Sequence, residues 1–206
     1  MHYAQTVLPT EYGQFDVHVF RAEGKEHLAI VAGEVRGGEN LPVRVHSECL
    51  TGEVLGSLKC DCKAQLDGAL KFIHDAGQGI VIYLRQEGRG IGLGNKIRAY
   101  RLQEDGADTV DANRLLGFED DLRSYEVAAE ILGFFEARSV RLLTNNPLKV
   151  RGLSDAGVTV NGRQPHVTGL NQVNLGYLET KRDRMGHMLD EENVDLTRLA
   201  KGVRSA

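Results

Sequence analysis

All three cysteines of the chain fall in one fourteen-residue window, as Cys49-x10-Cys60-x-Cys62. This grouping limits how the chain can hold itself together. A disulfide between Cys60 and Cys62 closes a strained ring across a single residue, and any pairing leaves an odd thiol. A framework of disulfide staples is therefore excluded, and 206 residues are enough to bury a substantial core without one. Three soft thiolates this close in sequence are what zinc prefers. Two arrangements are open. With three protein ligands, zinc keeps a position for water and acidifies it near neutral pH. With His46 as a fourth ligand, through His46-x-x-Cys49, the site closes and is structural.

Composition excludes several classes. The net charge is −4 and the pI about 6.0, which argues against a general nucleic-acid binder but leaves room for a small anion on a local basic cluster. The longest apolar run, Gly79 to Leu84, is far too short to cross a bilayer. The start, MHYAQTVLPTEYG, has no basic n-region and no apolar stretch. Reduced thiols without a signal or a span lead to an expectation of a cytoplasmic protein.

Periodicity predicts an α/β fold. Phe15, Val17 and Val19 alternate with polar residues, Gly24 marks a turn, and Leu28 to Val31 resume the strand pattern. Val43 to His46 reads as a strand that runs into the first cysteine. Leu66, Ala69, Leu70 and Ile73 fit one face of a helix that ends near Gly77. Strands follow at Gly79–Leu84, Val140–Leu143 and Val158–Val160, and helices at about 95–105, 123–133 and 147–156. This alternation predicts a mixed or parallel sheet flanked by helices. The chain reads as one domain over 1–189, with a charged, loosely ordered tail at 190–206.

The run Arg85-Gln86-Glu87-Gly88-Arg89-Gly90-Ile91-Gly92-Leu93-Gly94-Asn95-Lys96 leaves a strand and enters a helix. Its glycines let backbone N–H groups approach an anion, and Arg85, Arg89, Lys96 and Arg98 add positive charge. It fits neither standard nucleotide motif. Glu87 reads as a salt-bridge partner of the arginines, or as the acceptor for the N1–H and 2-amino groups of guanine. Strand 140–143 delivers Thr144, Asn145 and Asn146 to a helix start with Pro147, where Thr144 and Asn146 suit caps and Lys149 suits a phosphate. Asp121 reads as an N-cap, Arg123 as a surface residue or phosphate clamp, and Tyr100 as a half-buried aromatic.

Together these segments resemble GTP cyclohydrolase II. The likeness rests on Arg44-Val45-His46-Ser47-Glu48-Cys49-Leu50-Thr51-Gly52, Cys60-Asp61-Cys62, Arg85 to Leu93, and Leu142-Leu143-Thr144-Asn145-Asn146-Pro147. Asn174 to Lys181 and Met185-Gly186-His187 extend it, so that it runs from about residue 6 to 189. The chain is too short for the fused form with a dihydroxybutanone phosphate synthase half, so the monofunctional type is expected.

The resemblance implies opening of the imidazole ring of GTP with release of formate and pyrophosphate. The remaining product is 2,5-diamino-6-(5-phosphoribosylamino)pyrimidin-4(3H)-one, the first committed intermediate of riboflavin synthesis. It implies one zinc per chain on Cys49, Cys60 and Cys62 with water fourth, so that His46 does not ligate; the charge that develops on the departing pyrophosphate leads in turn to an expectation of Mg2+ on the triphosphate. It assigns GTP contacts to Arg44, Val45, His46, Ser47, Glu48, Gln65, Glu87, Gly88, Arg89, Thr109, Thr144 and Lys149. Asp121 corresponds to the proton acceptor, Arg123 to the nucleophile, and Tyr100 to a tyrosine of the ring chemistry. A homodimer is implied as well. Two alternatives remain: a related enzyme that retains the formyl group, and a non-catalytic, zinc-stabilised nucleotide-binding protein.

Overall fold

A computed structural model describes residues 1–189, so the expected tail at 190–206 lies outside the described residues. Seven strands form one mixed sheet. They are β1 (His2–Thr10), β2 (Gly13–Ala22), β3 (Lys25–Ala32), β4 (Leu41–Ser47), β5 (Gly79–Leu84), β6 (Val140–Leu143) and β7 (Val160–Gln164), in the order β1-β2-β3-β5-β4-β6-β7. β1, β2 and β3 are antiparallel neighbours, and β3 meets β5 antiparallel. β5, β4, β6 and β7 run parallel. The helices are α1 (Leu50–Glu53), α2 (Cys62–Asp75), α3 (Gly92–Glu104), α4 (Thr109–Leu115), α5 (Glu126–Phe134), α6 (Pro147–Asp155) and α7 (Leu175–Asp183). The α/β class expected from periodicity is the class observed.

The chain packs as two compact units built from separate segments. The first comprises Met1–Glu48, Leu66–Arg85 and Ser124–His166, and the second Cys49–Gln65, Gln86–Arg123 and the described residues from Val167. The first unit holds the whole sheet. Val43, Val45, Ile80, Ile82 and Leu142 pack on one face with Ala128, Ile131 and Leu132 of α5 and Leu153 of α6. Val81 and Leu143 pack on the other face with Ala69, Leu70 and Ile73 of α2. A strand covered on both faces reads as a continuous apolar run, which is why Gly79–Leu84 was legible. Each of the valines, leucines and isoleucines removed from water contributes about 1.5–3 kcal/mol.

Three local expectations differ from the structure. β1 was not foreseen, because its residues from His2 to Pro9 are all exposed and carry no core-facing alternation. The helix expected at 123–133 begins at Glu126, with Tyr125 at its N-cap position, so Asp121 does not cap it. The short strand expected at 158–160 is β7, and it starts only at Val160.

Candidate metal centre and its surroundings

The second unit draws the three cysteines together. Cys49 precedes the single turn α1, where its carbonyl accepts from the N–H groups of Gly52 (3.1 Å) and Glu53 (2.9 Å). Cys62 opens α2, so two helix starts aim their sulfurs at one point. The Sγ atoms of Cys49, Cys60 and Cys62 all lie within 4.8 Å of one another, with Cys49 and Cys60 at 3.6 Å. Gly52 is required here, because a Cβ at that position would lie 2.8 Å from the Cys60 Sγ and 3.4 Å from that of Cys49. Among the described residues this is the one group of three or more candidate ligands, and His46 is not part of it.

Charge in the cluster is uneven. Hydrogen bonds from the Cys60 and Cys62 thiols, then the nearby Lys96 ammonium, hold the Cys49 thiol far below its ordinary pKa against the opposing effect of burial. The same contacts with Cys49 push Cys60 and Cys62 upward. Three adjacent thiols therefore share one easily formed negative charge. Ionising all three needs a divalent cation among them, and soft sulfur donors at this spacing fit zinc.

Lys96 of α3 lies beside the cluster, and its Nζ donates to Cys49 Sγ (3.1 Å) and to Glu87 Oε1 (2.7 Å). Burial disfavours this ammonium, but the hydrogen bond to Glu87 and the Cys49 charge outweigh it and raise its pKa. Glu87 also accepts from the backbone N–H of Leu50 on Oε2 (2.6 Å) and from that of Gly88 on Oε1 (2.8 Å). The salt-bridge reading of Glu87 holds, but its partner is Lys96 rather than an arginine. Gly88 and Arg89 both take positive φ, at 62° and 59°, to turn the chain tightly behind that carboxylate.

Tyr100, one turn further along α3, is partly buried, and burial pushes its phenol up to about 12 while a hydrogen bond with Thr51 opposes the shift. Near neutral pH it keeps its proton. On the other side of the cluster, Asp61 sits between two of the cysteines. Its Oδ1 accepts from Lys181 of α7 (2.8 Å) and its Oδ2 from Gln65 (2.5 Å). The Lys181 ammonium also lies 4.4 Å from the Tyr177 ring centroid.

Asp121 and Arg123 form a buried fork. Nε of Arg123 donates to Oδ1 (2.8 Å) and Nη2 to Oδ2 (2.5 Å) of Asp121. Burial alone would raise the Asp121 carboxyl, but Arg123 overcomes it and holds the pKa below the ordinary value. A charge-assisted bidentate pair is stronger than a cap to a backbone N–H, which explains why Asp121 turns to Arg123 instead of the next helix. The backbone N–H of Leu122 between them donates to the Arg89 carbonyl (3.1 Å). Thr109 opens α4 behind the Asp108 cap, whose carboxylate accepts from Val110 and Asp111.

A family model described as GTP cyclohydrolase II matches residues 2–165. GTP cyclohydrolase-2 of Colwellia psychrerythraea is 54% identical over 183 residues, which span 88% of this chain and 91% of that one. GTP cyclohydrolase-2 of Picrophilus torridus is 49% identical over 187 residues, covering 90% of this chain and 97% of that one. Riboflavin biosynthesis protein RibBA of Chlamydia trachomatis is 52% identical over 191 residues, spanning 91% of this chain and 45% of that one. The chain belongs to the GTP cyclohydrolase II family.

The remaining residues expected to contact GTP lie in the first unit. Arg44, Val45, His46 and Ser47 end the strand β4, and Glu48 follows it. Successive strand residues face opposite ways. Val45 points into the core, and its carbonyl accepts from the buried Lys149 ammonium (2.6 Å). Arg44 and His46 share the other face. Arg44 donates to the Leu143 carbonyl (2.9 Å), and His46 stacks on Tyr83 with ring centroids 5.7 Å apart. Glu48 accepts from Arg85 (2.9 Å).

Asn146 caps α6 as expected, its Oδ1 accepting from the N–H of Leu148 (2.9 Å), whereas Thr144 Oγ1 accepts from the N–H of Asn146 (3.0 Å) ahead of the helix and does not cap it. Asp61 and Lys181 were absent from the residues singled out in the sequence, and Lys96 was read only as positive charge for an anion, although all three stand within the quoted motifs. Lys96 meets Cys49 across 47 positions and Lys181 meets Asp61 across 120, separations that no local pattern reports.

Proposed function

We propose that this chain hydrolyses GTP at C8 of the guanine ring, releasing formate and pyrophosphate and leaving 2,5-diamino-6-(5-phosphoribosylamino)pyrimidin-4(3H)-one for riboflavin synthesis. The observation that carries this reading is the three-cysteine cluster with Lys96, Glu87 and Tyr100 packed about it in one unit of a GTP cyclohydrolase II family member. Cys49, Cys60 and Cys62 are the residues that would hold zinc, which when bound supplies the Lewis acidity that makes water a nucleophile near neutral pH.

The chain's own residues carry the rest. Tyr100, protonated at neutral pH, donates to the departing ring nitrogen, and a second hydration of the formamide releases formate. Glu87 reads the guanine edge, and its three internal hydrogen bonds leave about one of some four lone-pair positions for the base. Taking both guanine donors requires one internal donor to yield. Asp121, ionised and forked onto Arg123, keeps the guanidinium protonated and oriented. That state suits a clamp on the α-phosphate better than a nucleophile, because arginine is not deprotonated in proteins.

Arg44, Val45, His46, Ser47, Glu48, Gln65, Gly88, Arg89, Thr109, Thr144 and Lys149 are the further proposed GTP contacts, with Val45 acting through its backbone. Mg2+ on the pyrophosphate, a homodimer, a cytoplasmic location and the action of residues 1–189 as one catalytic domain belong to the same proposal.

Product analysis tests it. Zinc-loaded protein incubated with GTP and Mg2+ yields formate, pyrophosphate and the pyrimidine in equal amounts. Pyrophosphate without formate would move the chain to an enzyme that retains the formyl group. Tightly bound zinc without any product would make the centre structural.

A further inference from the structure

The hydrogen bonds around Cys49 close a ring. Cys49 Sγ accepts from Lys96 Nζ, Lys96 Nζ also donates to Glu87 Oε1, and Glu87 Oε2 accepts from the N–H of Leu50, the residue after Cys49. The first cysteine is thus held twice, at its sulfur by an ammonium and at its backbone by a carboxylate, and the two holders are bonded to each other. The Lys96 and Glu87 side chains are only 12% and 9% exposed, so water does not compete for these bonds. The ammonium also lies 5.8 Å from the Tyr100 ring centroid. A surface lysine satisfied by solvent has no reason to be desolvated here. A lysine that shapes the donor strength of a sulfur has one.

We infer that Lys96 is a positioning residue of the three-cysteine centre: its ammonium, oriented by Glu87, donates a hydrogen bond to the Cys49 sulfur and so fixes that ligand and draws electron density from it. The inference rests on the reading of these cysteines as a metal site. A hydrogen bond from a cation stabilises the sulfur lone pairs. A metal on that sulfur then receives less charge and is the stronger Lewis acid, which is how outer-shell partners tune a centre. Glu87 accordingly joins the glycine-rich loop to the ligand turn in addition to facing the base.

The test uses the full chain loaded with Co2+ in place of zinc, because the sulfur-to-cobalt charge-transfer band reports lone-pair energy without any turnover. Lys96→Met removes the donor, and its band is expected at longer wavelength than that of the wild type at full cobalt occupancy. Lys96→Arg, which keeps a charged donor, stays near the wild type. Glu87→Gln, which loosens the ammonium, falls between them. With zinc, Lys96→Met loses roughly 10–100-fold in kcat, the range typical of outer-shell partners of a metal.

A Lys96→Met band that superposes on the wild type would overturn the inference. If that variant fails to fold, Lys96→Gln, a neutral donor, must give an intermediate band, and a wild-type band from it overturns the inference equally. Wild-type protein that shows no charge-transfer band with cobalt sinks both the inference and the metal reading. A shifted band in a protein that turns over no GTP supports Lys96 and sinks the proposed activity alone.

Discussion

The two units bury opposite kinds of group. In the first, the sheet and helices α5 and α6 enclose a large apolar cluster, with a smaller one on the α2 face. Its ion pairs Arg21–Glu26, Arg36–Glu136 and Lys71–Asp75 are exposed on both partners, and Arg85–Glu48 on its arginine. In the second unit the ion pairs Lys96–Glu87, Asp121–Arg123 and Lys181–Asp61 are all nearly inaccessible, with no side chain of the six more than 13% exposed. Exposed pairs add little to stability, whereas losing one partner of a buried pair strands a charge. The first unit is therefore organised for stability. The second accepts costly desolvated charge around the three cysteines and in the Asp121–Arg123 fork.

That contrast breaks most completely at the thiols. Cys60→Ser is expected to lower formate release by at least about a hundredfold, beyond the effect of losing an outer-shell partner, together with a fall in bound zinc. Atomic absorption on the purified variant checks the metal, and full zinc with full turnover would refute the assignment of that ligand. Next in size is Lys181→Met, which takes the ammonium away from the buried Asp61 carboxylate at a cost of about 3–5 kcal/mol. Denaturant melts measure it, and adding Asp61→Asn should restore part of the loss. If each substitution costs the same alone and combined, the pair is not coupled.

The first unit answers to volume instead of charge. Leu142→Ala, at a fully buried position of the central parallel strands, should cost about 2–5 kcal/mol while leaving one zinc per chain. A loss of zinc in that variant would remove the distinction between the units.

The smallest effect is one of pH. The Asp121 pKa is lowered in the folded chain, so its pairing stabilises the protein above the ordinary carboxylate value of about 3.9 and is lost as pH falls through the folded value. In Arg123→Met the guanidinium is gone and burial is opposed only by the backbone N–H of residue 123 and the charge of Arg89, so that carboxyl rises and the stabilisation from its ionisation is lost. The gap in melting temperature between wild type and variant should widen from about pH 3 to pH 6. Parallel curves would show that Asp121 does not titrate with this pair.

How far the sequence could be read follows the same division. β5 and β6 were placed to the residue, and α2 was recognised from Leu66, Ala69, Leu70 and Ile73, because burial on a sheet face or helix stripe repeats at short range. β1 escaped because it buries nothing, and α4 because it is two turns long. Among the candidate site residues, the three cysteines were legible because all lie within fourteen positions. Glu87 was legible as a carboxylate that needs a partner, but its partner was not.

Composition, periodicity and spacing alone determined the α/β class, the order of most elements and the thiol cluster, since each is written in patterns a few residues to a few turns long, while the family was carried by the resemblance of longer motifs. Only the tertiary structure decided that Lys96 holds Cys49, that Lys181 neutralises Asp61, that Val45 faces the core between Arg44 and His46, and that Asp121 forks onto Arg123 rather than capping α5. The reason is physical. A desolvated charge takes whichever opposite charge the folded backbone brings within reach, and the chain distance between the two does not enter that energy.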